Sequence, residues 1–237
     1  MLSNYVVVDL EMTGLSSFRD KIIEIGAVKV ADGAVSGEYQ VLVNPNVPLE
    51  KKIIEITGIT EEMISGKPFV GEILQDFFHF IGDYPIIGHN LRFDYSFLMQ
   101  AAYDNNMTEY VNRQWFGIDT LKIARTCLDK ECSKTLESLV DMFQIKDDNH
   151  HRALNDAAVT KEVYENLCRL YENEGRVFKP EEMFCKPRKD RKPSKREIQY
   201  VEKLINRLGI ETDVDIFCMT QSELSRYADK LKFYNNF

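Results

Sequence analysis

Two acids stand two apart on a stretch that is otherwise built like buried strand: Tyr5-Val6-Val7-Val8-Asp9-Leu10-Glu11. A run of β-branched and aromatic residues predicts a strand covered on both faces. Side chains at i and i+2 of a strand share a face, so Asp9 and Glu11 project side by side. Like charges a few ångströms apart in a buried setting are costly unless a cation neutralises them or a proton is retained. Whatever fold forms must place something positive beside them or keep one acid protonated. Hard carboxylate oxygens on a rigid strand suit Mg²⁺ or Mn²⁺. Taken alone, an Asp-x-Glu at a strand end is more often a solvated rim.

The elements around this strand can be read from periodicity. "KIIEIGAVKV" (21–30) and "YQVLVNP" (39–45) are two further β-branched runs, and their short links favour antiparallel neighbours. Apolar residues at 73, 74, 77, 78 and 81 form a helical stripe, which also places His79 in the core. "PIIGHN" (85–90) is a short buried strand and "DYSFLMQAAYDNN" (94–106) a helix. "WFGIDTLKIAR" (115–125) reads as a strand or a strand–helix junction. "TLESLVDMF" (135–143) is a helix, and a long one over 153–175 closes at Gly175. Strands first, then alternating helices and strands, indicate an α/β fold with a mixed sheet, its first three strands antiparallel, flanked by helices.

Two more stretches carry candidate chemistry. In "HNLRFDYSF", Asp94 sits at or near the start of a helix, where an acid is also favoured by the helix dipole. In "HHRALNDAA", His151 and Asp156 are five apart, about 500° on one continuous helix, so they cannot share a helical face. They converge if His151 stands in the loop before the helix and Asp156 on its inward face. His150 has Asn155 at the matching position and is set aside.

In this order, "DLEMTG", "HNLRFD" and "HRALND" resemble the three motifs of the DEDDh, or DnaQ-like, 3′→5′ exonucleases, which have an RNase H-like fold. The resemblance runs from about residue 4 to 172. "KIIEIGAVKV" and "VNPNVPLEKKIIEITGITEEMI" are similar to the exonuclease domain of PolC-type polymerases and the proofreading epsilon subunit of DNA polymerase III. It implies that Asp9, Glu11, Asp94 and Asp156 bind two Mg²⁺ or Mn²⁺ ions and that His151 is the general base. It further implies that Thr13 and Gly14 lie against the terminal nucleotide, with Met12 and Leu15 wedged at the last base. Asn90 either bonds the substrate or braces its motif, and Phe93 either packs beneath the site or belongs to the core. His89 and Asp119 are read as structural.

The implied activity is stepwise release of 5′-mononucleotides from the 3′ end of single-stranded DNA, in proofreading or repair trimming. The implied partner is nucleic acid with a free 3′ end, and a DNA polymerase in trans is compatible. "DLEMTGL" follows the wording of oligoribonuclease-like members, so an exoribonuclease of the oligoribonuclease or RNase T type is the alternative. DNA is favoured over RNA because "HNLRFD" and "EITGIT" span more sequence. A non-catalytic 3′-end-binding subunit of a polymerase complex is disfavoured because all five motif residues are present.

Composition supplies the rest. Hydrophobic residues make up 44% and charged residues 29% of 237, an ordinary globular balance. No apolar run reaches the roughly 20 residues of a membrane helix, and the start carries no basic leader. Five cysteines without a CxxC pair fit reduced thiols, and a cytoplasmic location is expected. The net charge of −8 is unevenly spread: residues 186–196 carry +6, residues 197–237 carry −2, and the first 185 hold −12. We therefore expect an exonuclease domain over 1–175, a basic linker over 176–196 and a small helical module over 197–237. The linker either contacts nucleic-acid phosphates or is a solvated spacer.

Overall fold

The computed structural model describes residues 1–146, 152–171, 175, 177–212 and 214–234, with residues 233 and 234 by backbone alone. It divides into two compact units, one of residues 1–15 and 20–186, the other of residues 16–19 and 187–237.

In the first unit the chain runs β1 (Tyr5–Met12), β2 (Ile22–Ala31), β3 (Ala34–Leu42), α1 (Lys51–Thr57), α2 (Glu61–Ile64), α3 (Val70–Ile81), β4 (Ile86–Gly88) and α4 (Leu91–Asp104). It continues through α5 (Thr108–Val111), β5 (Trp115–Asp119), α6 (Thr120–Cys127), α7 (Leu136–Phe143), α8 (Ala153–Tyr171) and β6 (Glu181–Met183). The strands make one six-stranded sheet in the order β3-β2-β1-β4-β5-β6. As expected, β1, β2 and β3 are antiparallel; β4 and β5 then join parallel to β1, and β6 closes the edge antiparallel.

β1 is central, and alternation splits its side chains between two cores. Val6, Val8, Leu10 and Met12 pack with Phe77 and Phe78 of α3 and Tyr95 and Leu98 of α4. Tyr5 and Val7 pack on the opposite face against Val163, Tyr164 and Leu167 of α8. The Tyr5 and Tyr164 rings meet edge to face at 5.3 Å. This central place explains the unbroken apolar run at its start: both faces are covered. Asp9 and Glu11 continue the α8 face, so the acids point toward a helix that arrives almost 150 residues later.

Several elements differ from their sequence reading. β3 starts at Ala34, five residues early, because Asp32 (φ 51°) and Gly33 (φ 78°) make a two-residue hairpin with both residues left-handed. α4 starts at Leu91, so Asp94 lies inside its first turn. His79 is exposed rather than buried, because α3 turns Leu74, Phe77, Phe78 and Ile81 inward. Residues 181–183, within the stretch read as linker, pair with β5 as β6.

The second unit contains α9 (Lys195–Leu208) and α10 (Gln221–Tyr234) around Val201, Ile216, Leu224, Ala228 and Leu231. α9 opens with a capping box: Ser194 accepts from Glu197 N–H, and the Glu197 carboxylate accepts from Ser194 N–H at 2.7 Å. The basic stretch is partly structured here, since Arg191 forks onto Glu197 at 2.9 and 3.0 Å and Asp190 accepts Ser222 N–H at 3.2 Å. Within the same unit Arg19 pairs with Asp229 at 2.9 Å. Among the described residues no helix is long and apolar enough to cross a membrane.

Candidate active site

The acids converge where β1 ends. Asp9, Glu11 and Asp156 each place one carboxylate oxygen within 4.8 Å of the others. Strand alternation brings the first two together; the first turn of α8 brings the third. Asp94 enters from the first turn of α4, is 5% exposed, and accepts from the backbone N–H of Leu10, between the two β1 acids. His151 lies outside the described residues.

Crowding of these acids is visible in their protonation. Burial, then the charges of Asp94, Asp156, Glu11 and Glu24, holds the Asp9 carboxyl well above the usual carboxylate range. Burial, then Asp156 and Glu24, pushes Glu11 up to about 7, against an opposing pull from Arg152. Asp94 is pushed up to about 8, first by burial and also by Glu11 and Asp119, despite its two backbone hydrogen bonds. Such a cluster has protons or cations as its partners. A set of hard oxygen donors within this span fits a divalent cation.

Two details bring α8 close enough to deliver Asp156. Gly26 faces Asp9 across the β1–β2 ladder, and a Cβ there would fall 2.0 Å from the Ala153 backbone carbon. Glu24, fully buried and opposite Glu11, takes Arg152 through Nη2 (2.7 Å) and Nε (3.1 Å), and accepts Ala153 N–H at 3.2 Å. Gly26, Glu24 and Arg152 were not singled out from the sequence. The available signal was a lone acid inside the β-branched run of "KIIEIGAVKV".

The residues expected around the substrate divide into exposed and buried groups. Leu15 is 85% exposed, whereas Met12 is 8% exposed and belongs to the core. Thr13 is tied at both ends: its N–H donates to Lys21 O at 2.8 Å and its hydroxyl accepts Lys21 N–H at 2.9 Å. Gly14 sits against the Asp20 carboxylate, 2.6 Å from where a Cβ would be. Asn90 is exposed and left-handed (φ 64°), with its N–H on Asp119 Oδ1 at 2.9 Å. Phe93 is half-buried and meets Phe97 edge on at 5.3 Å. Asp119 also caps α6 through Leu121 N–H, and His89 bonds the Thr120 hydroxyl at 2.9 Å, so both have structural partners.

Comparison with known proteins gives a consistent picture. The RNase_T exonuclease family model matches residues 6–164. The PolC-type DNA polymerase III of Thermotoga maritima is 40% identical over 164 residues, 68% of this chain and 12% of that protein. The chain thus spans about an eighth of that relative's length. Among solved structures, E. coli exonuclease I in complex with a dT13 oligonucleotide superposes with a TM-score of 0.63 at 20% identity, covering 73% of this chain and 43% of that one. The nuclease domain of 3′hExo, a DEDDh family member bound to rAMP, gives 0.59 at 16% identity, covering 77% and 98%. These two likenesses are of fold.

Proposed function

The chain belongs to the RNase T exonuclease family, and from that premise we propose that it is a metal-dependent 3′→5′ exonuclease releasing 5′-mononucleotides from single-stranded DNA. The observation that carries the reading is the meeting of Asp9, Glu11 and Asp156 at the end of β1, with Asp94 buried beside them.

Asp9, Glu11, Asp94 and Asp156 are the residues that would hold two Mg²⁺ or Mn²⁺ ions. Bound there, such ions would acidify an attacking water and offset charge on the departing 3′ oxygen. The protein's own share is position and proton transfer. His151 is the proposed general base that takes the water's proton, imidazole being a side chain type suited to proton transfer, a role that rests on its place in "HRALND". The turn at Thr13 and Gly14, held by Lys21, offers a backbone surface to the last nucleotide, and exposed Leu15 an apolar edge to its base. Asn90 offers an exposed amide. Met12 belongs to the core, and Phe93 packs against that same core.

DNA is the favoured substrate because the sequence similarity is to a stretch, 12% of the length, of a PolC-type DNA polymerase III. Proofreading for a polymerase in trans and free-standing trimming are both compatible with this chemistry. The "DLEMTGL" wording supports a second reading, an exoribonuclease. A cytoplasmic location fits the cysteines: all five are described, and none forms a disulfide.

The test is digestion of 5′-labelled DNA and RNA oligonucleotides of one sequence, with Mg²⁺, with Mn²⁺ and with chelator. A ladder shortening from the 3′ end with 5′-dNMP product, lost on chelation, is expected. Faster RNA digestion would move the assignment to the ribonuclease reading, and absence of metal-dependent product would end the nuclease reading.

A further inference from the structure

The residue that follows His151 in sequence is Arg152, and the partner of Arg152 is fully buried Glu24. Both Glu24 oxygens are engaged. Oε1 accepts from Arg152 Nη2 at 2.7 Å and Nε at 3.2 Å, and from Gln40 Nε2 at 2.9 Å. Oε2 accepts from Arg152 Nε at 3.1 Å and from the Ala153 N–H at 3.2 Å. The last of these bonds satisfies one of the N–H groups that a helix start leaves without an internal partner. The carboxylate charge also suits the positive end of α8. Arg152 O in turn accepts Asp156 N–H at 2.9 Å, closing the first turn of α8 on the residue that carries the third acid.

We propose that Glu24 and Arg152 are a positioning pair: they seat the first turn of α8 so that Asp156 meets Asp9 and Glu11 at cation-binding distance. The proposal rests on the metal-dependent nuclease reading above. A buried ion pair is a poor source of net stability, since apolar replacements of the same volume are often as stable. Its geometric effect here is specific. The planar guanidinium forks onto one carboxylate and so fixes both direction and distance of the chain it belongs to. Pairing has a second consequence. Glu24 stands directly opposite Glu11 and projects to the same face, so without Arg152 it would be a fifth carboxylate beside the cluster. With both oxygens occupied, Glu24 is withheld from any ion.

The experiment compares wild type with Glu24→Gln, Arg152→Lys, Arg152→Met and the Glu24→Gln/Arg152→Met double variant. It measures the Mn²⁺ dissociation constant by calorimetry, kcat and KM on an oligonucleotide, and the melting temperature. Groups that orient metal ligands cost about 10–100-fold in metal affinity when removed. Arg152→Met and Glu24→Gln are expected to weaken Mn²⁺ binding by that factor and to lower kcat with KM unchanged. Arg152→Lys, which keeps the charge and loses the fork, should fall between, and the double variant should be no worse than the worse single one. Tyr5→Phe removes a hydrogen bond to Glu165 elsewhere on α8 and serves as the control: it should lower the melting temperature alone. Wild-type Mn²⁺ affinity and kcat in Arg152→Lys and Arg152→Met would overturn the proposal. If wild type itself bound no Mn²⁺, the nuclease reading would fail first, which is a separate result.

Discussion

Asp9 and Gly26 face each other across the β1–β2 ladder, and the side chain missing from Gly26 is the space that the start of α8 occupies. An acid on one strand and a glycine on the next are thus two halves of one arrangement: the first contributes an oxygen and the second admits the helix bearing Asp156. Gly26→Ala would press a methyl into the Ala153 backbone, which cannot rotate away. We expect destabilisation of about 1–3 kcal/mol, the usual cost of overpacking. Mn²⁺ binding should weaken as well, because α8 must retreat. Denaturant unfolding and a metal titration check both effects.

Asp156→Asn should separate function from stability. Mononucleotide release should be abolished. Because the Asp156 charge is one of the forces raising Glu11, the metal-free variant should melt higher than metal-free wild type at pH 8. Thermal melting in chelator, alongside the digestion assay, tests the opposite signs.

The pH dependence of the metal-free protein follows from the same crowding. Glu11 rises from an ordinary 4.5 to about 7 and Asp94 from 3.8 to about 8 on folding. Between those limits the folded state binds more protons than the unfolded chain. The stability that Glu11 and Asp94 contribute is therefore fully present below about pH 4 and is lost progressively as pH rises to about 8. A loss of ~1 kcal/mol moves the melting temperature by about 2–4 °C in a domain of this size. Saturating Mn²⁺ should flatten the profile above neutrality, since an ion bound only by the folded state stabilises it. Melting curves from pH 4 to 8.5, with chelator and with Mn²⁺, provide the check; stability rising with pH in chelator would contradict the geometry.

His151→Ala should leave the Mn²⁺-induced rise in melting temperature in place and lower kcat by roughly 10²–10⁴, the range of general-base contributions. Single-turnover digestion at several pH values measures this. An unchanged rate would assign the base elsewhere.

Lys189, Lys192 and Lys195 are exposed in the basic stretch. Replacing all three by Gln should weaken oligonucleotide binding and flatten its salt dependence, by about 0.7 in the log–log slope per lost single-strand phosphate contact. An unaltered slope would make the stretch a spacer.

What could be read in the chain itself was local. Alternation in β1 places Asp9 and Glu11 on one face whatever else the protein does, and the spacing of Leu74, Phe77, Phe78 and Ile81 sets a helix face. The order of the three acid-bearing motifs pointed to the chemistry through its resemblance to the DEDDh exonucleases, and their carboxylates are donor types that metal-assisted hydrolysis uses. Other features were decided by packing between segments far apart in sequence. Met12 and Leu15 are three apart, yet one is core and the other 85% exposed, because β1 ends between them. β6 exists because the edge of β5 was open to pairing, a fact no local periodicity records. Glu24 is a lone acid in an apolar strand, and its counter-charge, Arg152, stands 128 residues away in the chain. Periodicity determines which way a side chain faces; what it meets there depends on which distant element is packed against that face.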